Sequence, residues 1–173
     1  TFVEGSTFQD WLEVFKNTPY LKHQIEHLNE KQIADKLGLS HDKLEGLFLA
    51  ETYHYTYGTS DLDILQRASL RLKKMLDRYW ADRQEDLPLE SPYDALILAS
   101  IIEKETAIDS ERNRVASVFI NRLNKRMRLQ TDPTVIYGMG DKYDGNIRKR
   151  DLRNPTPYNT YTLLGLPPTP IAM

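Results

Sequence analysis

Helical periodicity with clear start signals is the feature that most constrains how this chain folds. Six residues between positions 60 and 80 recur at intervals of three and four, which places them on one helix face: Leu62, Leu65, Ser69, Leu72, Leu76 and Tyr79. Ser60-x-x-Asp63 precedes this run as a capping signal. Ser91-Pro92-Tyr93-Asp94 opens a second helix, because Ser caps well and Pro suits the first helical position. We therefore predict a mostly helical protein.

The first 58 residues predict a small module of the α+β class. Residues 1–3 and 52–57 are rich in β-branched and aromatic side chains and predict strands. Between them, the capping box Thr7-x-x-Asp10 predicts one helix and residues 29–37 predict another. Ser40 would cap a third, short helix. The predicted order is thus β-α-α-β, followed by longer helices.

Composition excludes several classes of protein. The chain has 173 residues, a formal net charge of −2 and no Cys, so neither a strongly basic nucleic-acid surface nor a disulfide framework is indicated. No apolar run approaches the ~20 residues that span a bilayer. Because the chain begins at Thr1 and ends in a Pro-rich stretch, we expect it to be a piece of a longer protein.

Glu105 is the candidate acid/base. On a helix it shares a stripe with Leu98, Ile101 and Ile102 at positions i, i+3, i+4 and i+7. Desolvation at the end of such a stripe favours the protonated carboxyl that a general acid requires. An alternative is a structural carboxylate, paired with Lys104 or with an Arg of the next helix.

Residues 128–173 predict a loop region rich in hydrogen-bonding groups. Asp132-Pro133 favours a turn, although the same residues could belong to a polar binding loop. Tyr158-Asn-Thr-Tyr161 could stack on sugar rings and bind their hydroxyl groups, or it could simply pack. The residues alone leave both alternatives open.

Two further motifs suggest other functions. Residues 33–44 have the form of a helix-turn-helix, but the second helix would present acidic residues, so DNA binding is not favoured. His23-Gln-Ile-Glu-His27 matches a zinc-binding pattern, yet the surrounding run is highly polar and is typical of a solvated helix. We therefore assign no metal site.

Six blocks in order along the chain carry a family resemblance: Glu51–Tyr53, Leu98–Thr106, Ala116–Leu123, Met127–Gly138, Pro157–Tyr161 and Gly165–Pro168. On these blocks the chain resembles the MltG (YceG-like) endolytic murein transglycosylases over nearly its whole length. The resemblance implies a LysM-like module over residues 1–58 and a lysozyme-like catalytic domain over residues 59–173. The family continues beyond the last block, so this catalytic domain is expected to be truncated at its C-terminus.

The resemblance also implies an activity and a location. Members of the family cleave the MurNAc–GlcNAc bond of nascent peptidoglycan strands and leave 1,6-anhydroMurNAc ends. They are bacterial inner-membrane proteins with one membrane helix and a periplasmic part. The implied partners are peptidoglycan glycan strands and cell-wall synthases, with no cofactor, metal or nucleic acid.

The site residues follow from the same resemblance. Lytic transglycosylases carry a catalytic Glu followed by Ser near a helix end, and Glu105-Thr106 is the closest match, with Glu103 as the fallback. Six further residues lie in family blocks and are expected to contact the glycan: Gln130, Asp132, Tyr137, Tyr158, Asn159 and Tyr161. The alternatives are a muramidase, with Asp132 as a second carboxylate, and a non-catalytic peptidoglycan-binding module.

Overall fold

Helices supply the regular secondary structure of the computed structural model, which describes residues 1–173. The seven α-helices are α1 (Phe8–Lys16), α2 (Glu30–Leu37), α3 (Asp61–Ala81), α4 (Pro92–Glu105), α5 (Asp109–Asn124), α6 (Asp132–Met139) and α7 (Lys149–Arg153). A single 3-10 turn, Gly140–Lys142, follows α6. The prediction of a mostly helical protein is therefore confirmed.

The predicted helix starts are confirmed by their capping bonds. The Thr7 and Asp10 side chains form the reciprocal capping box of α1. Ser60 Oγ accepts the Asp63 N–H at 3.1 Å at the start of α3, and Ser91 Oγ accepts the Asp94 N–H at 3.2 Å at the start of α4. Each bond satisfies a backbone donor that has no partner within the helix, so these local signals fix where the helices begin.

The two predicted strands are wrong. Residues 1–3 and 52–56 have no regular secondary structure, and Tyr57 lies in a turn. The one isolated bridge of the chain joins Lys22 and Ser60. The Phe2 N–H donates to the Glu51 carbonyl at 3.1 Å, and the turn at Glu4-Gly5 follows at once. A strand needs a row of such bonds, and three residues before a turn are too few to supply it.

The predicted short helix after Ser40 is also wrong. Residues 44–48 are five consecutive buried residues, and Gly46 has a φ of 76°. A helix packed on one side would expose part of that run, so an irregular segment buries it instead. With no second helix, the helix-turn-helix interpretation has no recognition helix.

The loop prediction for residues 128–173 is wrong at two places. Asp132-Pro133 opens α6 rather than a turn, because Pro is accepted in the first helical turn, where its missing N–H has no partner to lose. The short helix α7 lies further along the same region. Apart from the 3-10 turn after α6, the rest of the region is irregular.

The chain divides into two compact units, Thr1–Tyr79 with Ala172–Met173, and Trp80–Ile171. In the first unit, Phe2 stacks on Trp11 with ring centroids 3.8 Å apart. In the second unit, one apolar core gathers Ile97, Leu98, Ile101, Phe119, Leu129 and Ile171. The domain boundary predicted at residues 58 and 59 stays a prediction.

No helix combines the length and apolar character that a membrane span requires.

Candidate active site

Helix α4 carries the candidate acid at its C-terminal end. Its buried face consists of Ile97, Leu98, Ser100 and Ile101, which anchor the helix in the core of the second unit. Glu105 is the last residue of α4, one turn beyond Ile101. The helix therefore presents a carboxylate at the edge of a rigid apolar core.

Glu105 is exposed, whereas the sequence predicted partial burial. The prediction fails because the apolar stripe ends one turn before the carboxylate. The side chain is nevertheless held, because the hydroxyl group of Thr131 donates to Glu105 Oε2 at 2.6 Å. Thr131 is only 3% exposed, so the bond joins an exposed carboxylate to a buried donor.

Glu103, the fallback acid, has a structural environment. Its carboxylate pairs with Arg112 of α5, with 3.0 Å between Arg112 Nη2 and Glu103 Oε2. The sequence offered pairing with an Arg of the next helix as the alternative to an acid/base role at this helix end. The structure has that pairing at Glu103. Since Glu105 is bonded to a hydroxyl group instead, the two acids have different environments only two residues apart.

Asp132 and Tyr161 lie beside Glu105. The Tyr161 hydroxyl donates to Asp132 Oδ1 at 2.6 Å. Burial raises the pKa of Tyr161 to about 12, helped by its bond to Asp132 and by the negative charges of Asp132 and Glu105, and opposed by Arg122. The phenol is therefore a hydrogen-bond donor at any physiological pH, in an acidic environment that includes the candidate acid.

Gln130, Tyr137 and Tyr158, three more of the predicted glycan contacts, are each held by a neighbouring side chain. Gln130 is exposed, and its Oε1 accepts from Arg122 Nη1 at 3.3 Å. Tyr137 and Tyr158 meet edge to face with ring centroids 4.7 Å apart, and both are half-buried against the core. Their assignment as glycan contacts stays a prediction.

Asn159 is placed differently, because none of its surface is exposed. Its Nδ2 donates to three carbonyls, those of Asp151, Leu152 and Asn154, and its Oδ1 accepts the Tyr161 N–H at 2.9 Å. An amide with these bonds organises the loop that presents Tyr161. The structure gives Asn159 a supporting position rather than a surface for direct contact.

Sequence reasoning missed the threonines of the site. Thr131, Thr134 and Thr160 are buried and hydrogen-bonded to one another, and Thr131 reaches Glu105. Each threonine is unremarkable in sequence, since buried Thr and surface Thr look alike. Only their position inside the blocks 127–138 and 157–161 hinted at a role.

The H-x-x-E-H motif lies outside this site. Residues 23–28 contain a bend and a turn rather than a helix, so His23 and His27 do not have helical spacing. His23 Nδ1 instead lies 3.9 Å from the buried carboxylate of Asp61. No group of three His, Asp or Glu side chains that could hold a metal ion is present.

Comparisons with known proteins agree on one family. The profile of the YceG-like family matches residues 1–173. An endolytic murein transglycosylase of Bacillus subtilis is 38% identical over 130 residues, and one of Streptococcus pneumoniae is 31% identical over 135. Each alignment covers 75% of this chain, but the chain spans only 35% and 24% of the two relatives. A crystal structure of a yceG-like protein of Listeria monocytogenes superposes with a TM-score of 0.76 and 29% identity, over 99% of this chain and 61% of that one.

Proposed function

Because this chain belongs to the YceG-like family, we propose that it forms the catalytic part of an endolytic murein transglycosylase. Its substrate is the glycan strand of peptidoglycan. The reaction cleaves the MurNAc–GlcNAc bond within the strand and leaves a 1,6-anhydroMurNAc end. Glu105 is the single acid/base.

The mechanism requires one carboxyl group to act twice. Protonated Glu105 gives its proton to the glycosidic oxygen as the bond to the anomeric carbon breaks. The resulting carboxylate then takes the proton of the C6 hydroxyl group, whose oxygen closes the anhydro ring on the same carbon. Glu105 ends protonated as it began, and no water is consumed. A bound strand would cover the exposed carboxyl and exclude water from the reacting groups.

The observation that carries this proposal is the contrast between the two glutamates of α4. Glu105 is exposed, is held in place by Thr131 and lies beside Asp132 and Tyr161. Glu103 is occupied by Arg112. A carboxyl group that must both give and take a proton needs access to substrate and freedom from a permanent cation, and Glu105 meets both needs better.

The hydrolytic alternative needs a second carboxylate, ~5–9.5 Å from the first depending on stereochemistry, to act as nucleophile or to activate water. Asp132 is the candidate by position. Its Oδ1, however, is bonded to the Tyr161 hydroxyl, and this arrangement suits a pair that binds sugar hydroxyl groups. We therefore favour the lyase.

Five residues are proposed to contact the glycan: Gln130, Asp132, Tyr137, Tyr158 and Tyr161. Asn159 supports them by fixing the loop around Tyr161. The exposed Gln130 amide and Asp132 carboxylate can bond sugar hydroxyl groups, and the tyrosine rings offer faces for stacking.

Residues 1–58, which lie within the first unit, are proposed to form the LysM-like module. One observation supports it: the Phe2 N–H donates to the Glu51 carbonyl, which joins the first residues to the segment that follows α2. We further propose that the protein acts at the periplasmic side of a bacterial inner membrane, anchored by one membrane helix, in company with cell-wall synthases.

Product chemistry tests the activity. The full-length protein is incubated with purified peptidoglycan in water enriched in oxygen-18, and new glycan ends are examined by mass spectrometry. A lyase gives anhydro ends, lighter than reducing ends by one water and free of the label. Labelled reducing ends would identify a muramidase, and binding to peptidoglycan without new ends would identify a non-catalytic module.

A further inference from the structure

A cluster of three buried threonines lies directly behind Glu105. Thr131 immediately precedes α6, Thr134 lies in its first turn, and Thr160 belongs to the loop that carries Tyr161. Thr131 is 3% exposed, and the other two have no exposed surface. We call these residues the threonine cluster.

Hydrogen bonds tie the threonine cluster together across the two segments. The Thr131 N–H donates to Thr160 Oγ1 at 3.0 Å, and the hydroxyl groups of Thr134 and Thr160 share a bond of 2.8 Å. Thr134 Oγ1 also lies 2.7 Å from the Thr131 carbonyl, to which it donates. Buried bonds of this kind make the backbone at Thr131 rigid, because breaking any of them leaves a polar group unpaired away from water.

The Thr131 hydroxyl is the only one of the three that leaves the cluster, and it donates to Glu105 Oε2 at 2.6 Å. A short bond from a hydroxyl to a carboxylate is charge-assisted and stronger than a neutral one. It therefore selects one rotamer of an exposed side chain that would otherwise be mobile. The donor comes from a residue 26 positions away in the sequence, so the restraint is a tertiary one.

We propose that Thr131 is the positioning residue for the catalytic carboxyl. Through the Thr131 hydroxyl group, the threonine cluster fixes one oxygen of Glu105, Oε2. The other oxygen, Oε1, is then the one that would face the scissile oxygen of a bound strand. This inference rests on the proposed function, since it gives a role to Thr131 only if Glu105 does the chemistry. Thr131 transfers no proton itself and acts only through the Glu105 carboxyl that it holds.

The expected effect is on turnover rather than on binding. A carboxyl group displaced by about 1 Å from its productive position can lose ~10²-fold in rate. Thr131→Val keeps the shape and removes the hydroxyl, so we expect kcat to fall by about 10- to 100-fold while KM changes by less than about 2-fold. Thr131→Ser restores the hydroxyl and should recover most of the lost kcat.

The test measures initial rates of anhydro-end formation on soluble glycan strands by the full-length protein. Its variants are Thr131→Val, Thr131→Ser, Glu105→Gln and the control Ser100→Ala. Ser100 is also a buried hydroxyl of the second unit: it donates to the Ile97 carbonyl and accepts the Ile171 N–H, without reaching Glu105. Thermal unfolding of every variant sets an assay temperature at which all are folded, and Thr131→Ala replaces the valine variant if that one does not fold.

The outcomes separate this inference from the proposed function. Loss of kcat in Thr131→Val, recovery in Thr131→Ser and normal turnover in Ser100→Ala support it. Normal turnover in Thr131→Val beside an inactive Glu105→Gln overturns the inference alone. An equal loss in Thr131→Ser, or in Ser100→Ala, also overturns it, because the effect would then come from packing or from general destabilisation. An active Glu105→Gln variant overturns the proposed function and the inference with it.

Discussion

Replacing Gly138 with alanine tests how tightly α6 is packed against the loop that presents the tyrosines. Gly138 is the seventh residue of α6, and a Cβ placed there would overlap with Thr156 Oγ1. It would also meet Tyr158 Cβ at 3.2 Å and Thr156 Cβ at 3.3 Å. The glycine therefore permits a close approach between the helix and this loop.

Two opposing effects decide the magnitude. Alanine is a better helix former than glycine by about 1 kcal/mol, which would stabilise α6. Overpacking costs about 1–3 kcal/mol when the neighbour cannot move freely. Thr156 Oγ1 cannot, because it accepts the N–H groups of Tyr158 at 3.3 Å and Asn159 at 3.1 Å, and moving it weakens both bonds at about 1 kcal/mol each. The net expectation is a loss of about 2 kcal/mol.

Thermal and urea unfolding measure this loss. For a chain of this size, 2 kcal/mol corresponds to a fall in Tm of about 4–8 °C. In the double variant Gly138→Ala/Thr156→Ala the overlapping oxygen is gone. Its loss of unfolding free energy should therefore be smaller than the sum of the two single-variant losses by about 1 kcal/mol. A Gly138→Ala protein as stable as the wild type, or strictly additive losses, would refute the close-packing argument.

Three other perturbations have expected outcomes. Tyr161→Phe removes the donor to Asp132 and should raise KM for glycan strands by about 3- to 10-fold, the worth of one hydrogen bond, with little change in kcat; an unchanged KM would contradict the contact assignment. Tyr93 and Tyr161 both have a pKa raised to about 12, each chiefly by burial, so two tyrosines should ionise late in an alkaline absorbance titration. Because the folded chain then keeps protons that the unfolded chain loses above about pH 10, the free energy of unfolding should fall between about pH 10 and 12, and a flat profile would count against this. Asp61→Ala should cost about 2–4 kcal/mol in urea unfolding, because the buried carboxylate accepts the N–H groups of Gln24 and Leu62; a cost below about 1 kcal/mol would mean that water replaces it.

Helix starts could be predicted from the sequence because the interactions that fix them are local. Thr7 with Asp10, and Ser91 with Asp94, lie three residues apart, and the bonds that cap the helices join these same pairs. The end of α2 at Gly38, with a φ of 66°, follows from a glycine in the left-handed region. In each case a few neighbouring residues carry the whole cause.

The errors lie where distant residues decide the structure. Residues 44–48 have a helical pattern, but the first unit buries all five, so tertiary packing overrides the local preference. Segment 52–57 has strand-forming residues but lacks a partner long enough to pair with it. Neither the burial nor the missing partner can be seen in the segment itself.

The candidate site likewise has some features that neighbouring residues determine and others that distant residues determine. A helical stripe and a family resemblance select Glu105 as the candidate acid, and its place at the end of α4 follows from the same local pattern; its catalytic role stays a prediction. The exposure of Glu105 and its bond to Thr131 could not be predicted, because both depend on how residues 26 positions apart meet in space. The supporting position of Asn159 was hidden for the same reason, since an amide in a loop looks the same whether it faces a ligand or three carbonyls.

The measurement that tests the central claim most directly compares Glu105→Gln with Glu103→Gln. In the full-length protein, the release of anhydro-ended fragments from purified peptidoglycan is followed over time. Glu105→Gln keeps the shape and the bond from Thr131 but removes the transferable proton, so the rate should fall by at least ~10²–10⁴-fold with the fold intact. Glu103→Gln loses a partly exposed ion pair with Arg112, worth about 1 kcal/mol or less, and should stay within about 3-fold of the wild type. A folded and active Glu105→Gln protein beside an inactive Glu103→Gln protein would contradict the account and assign the chemistry to Glu103.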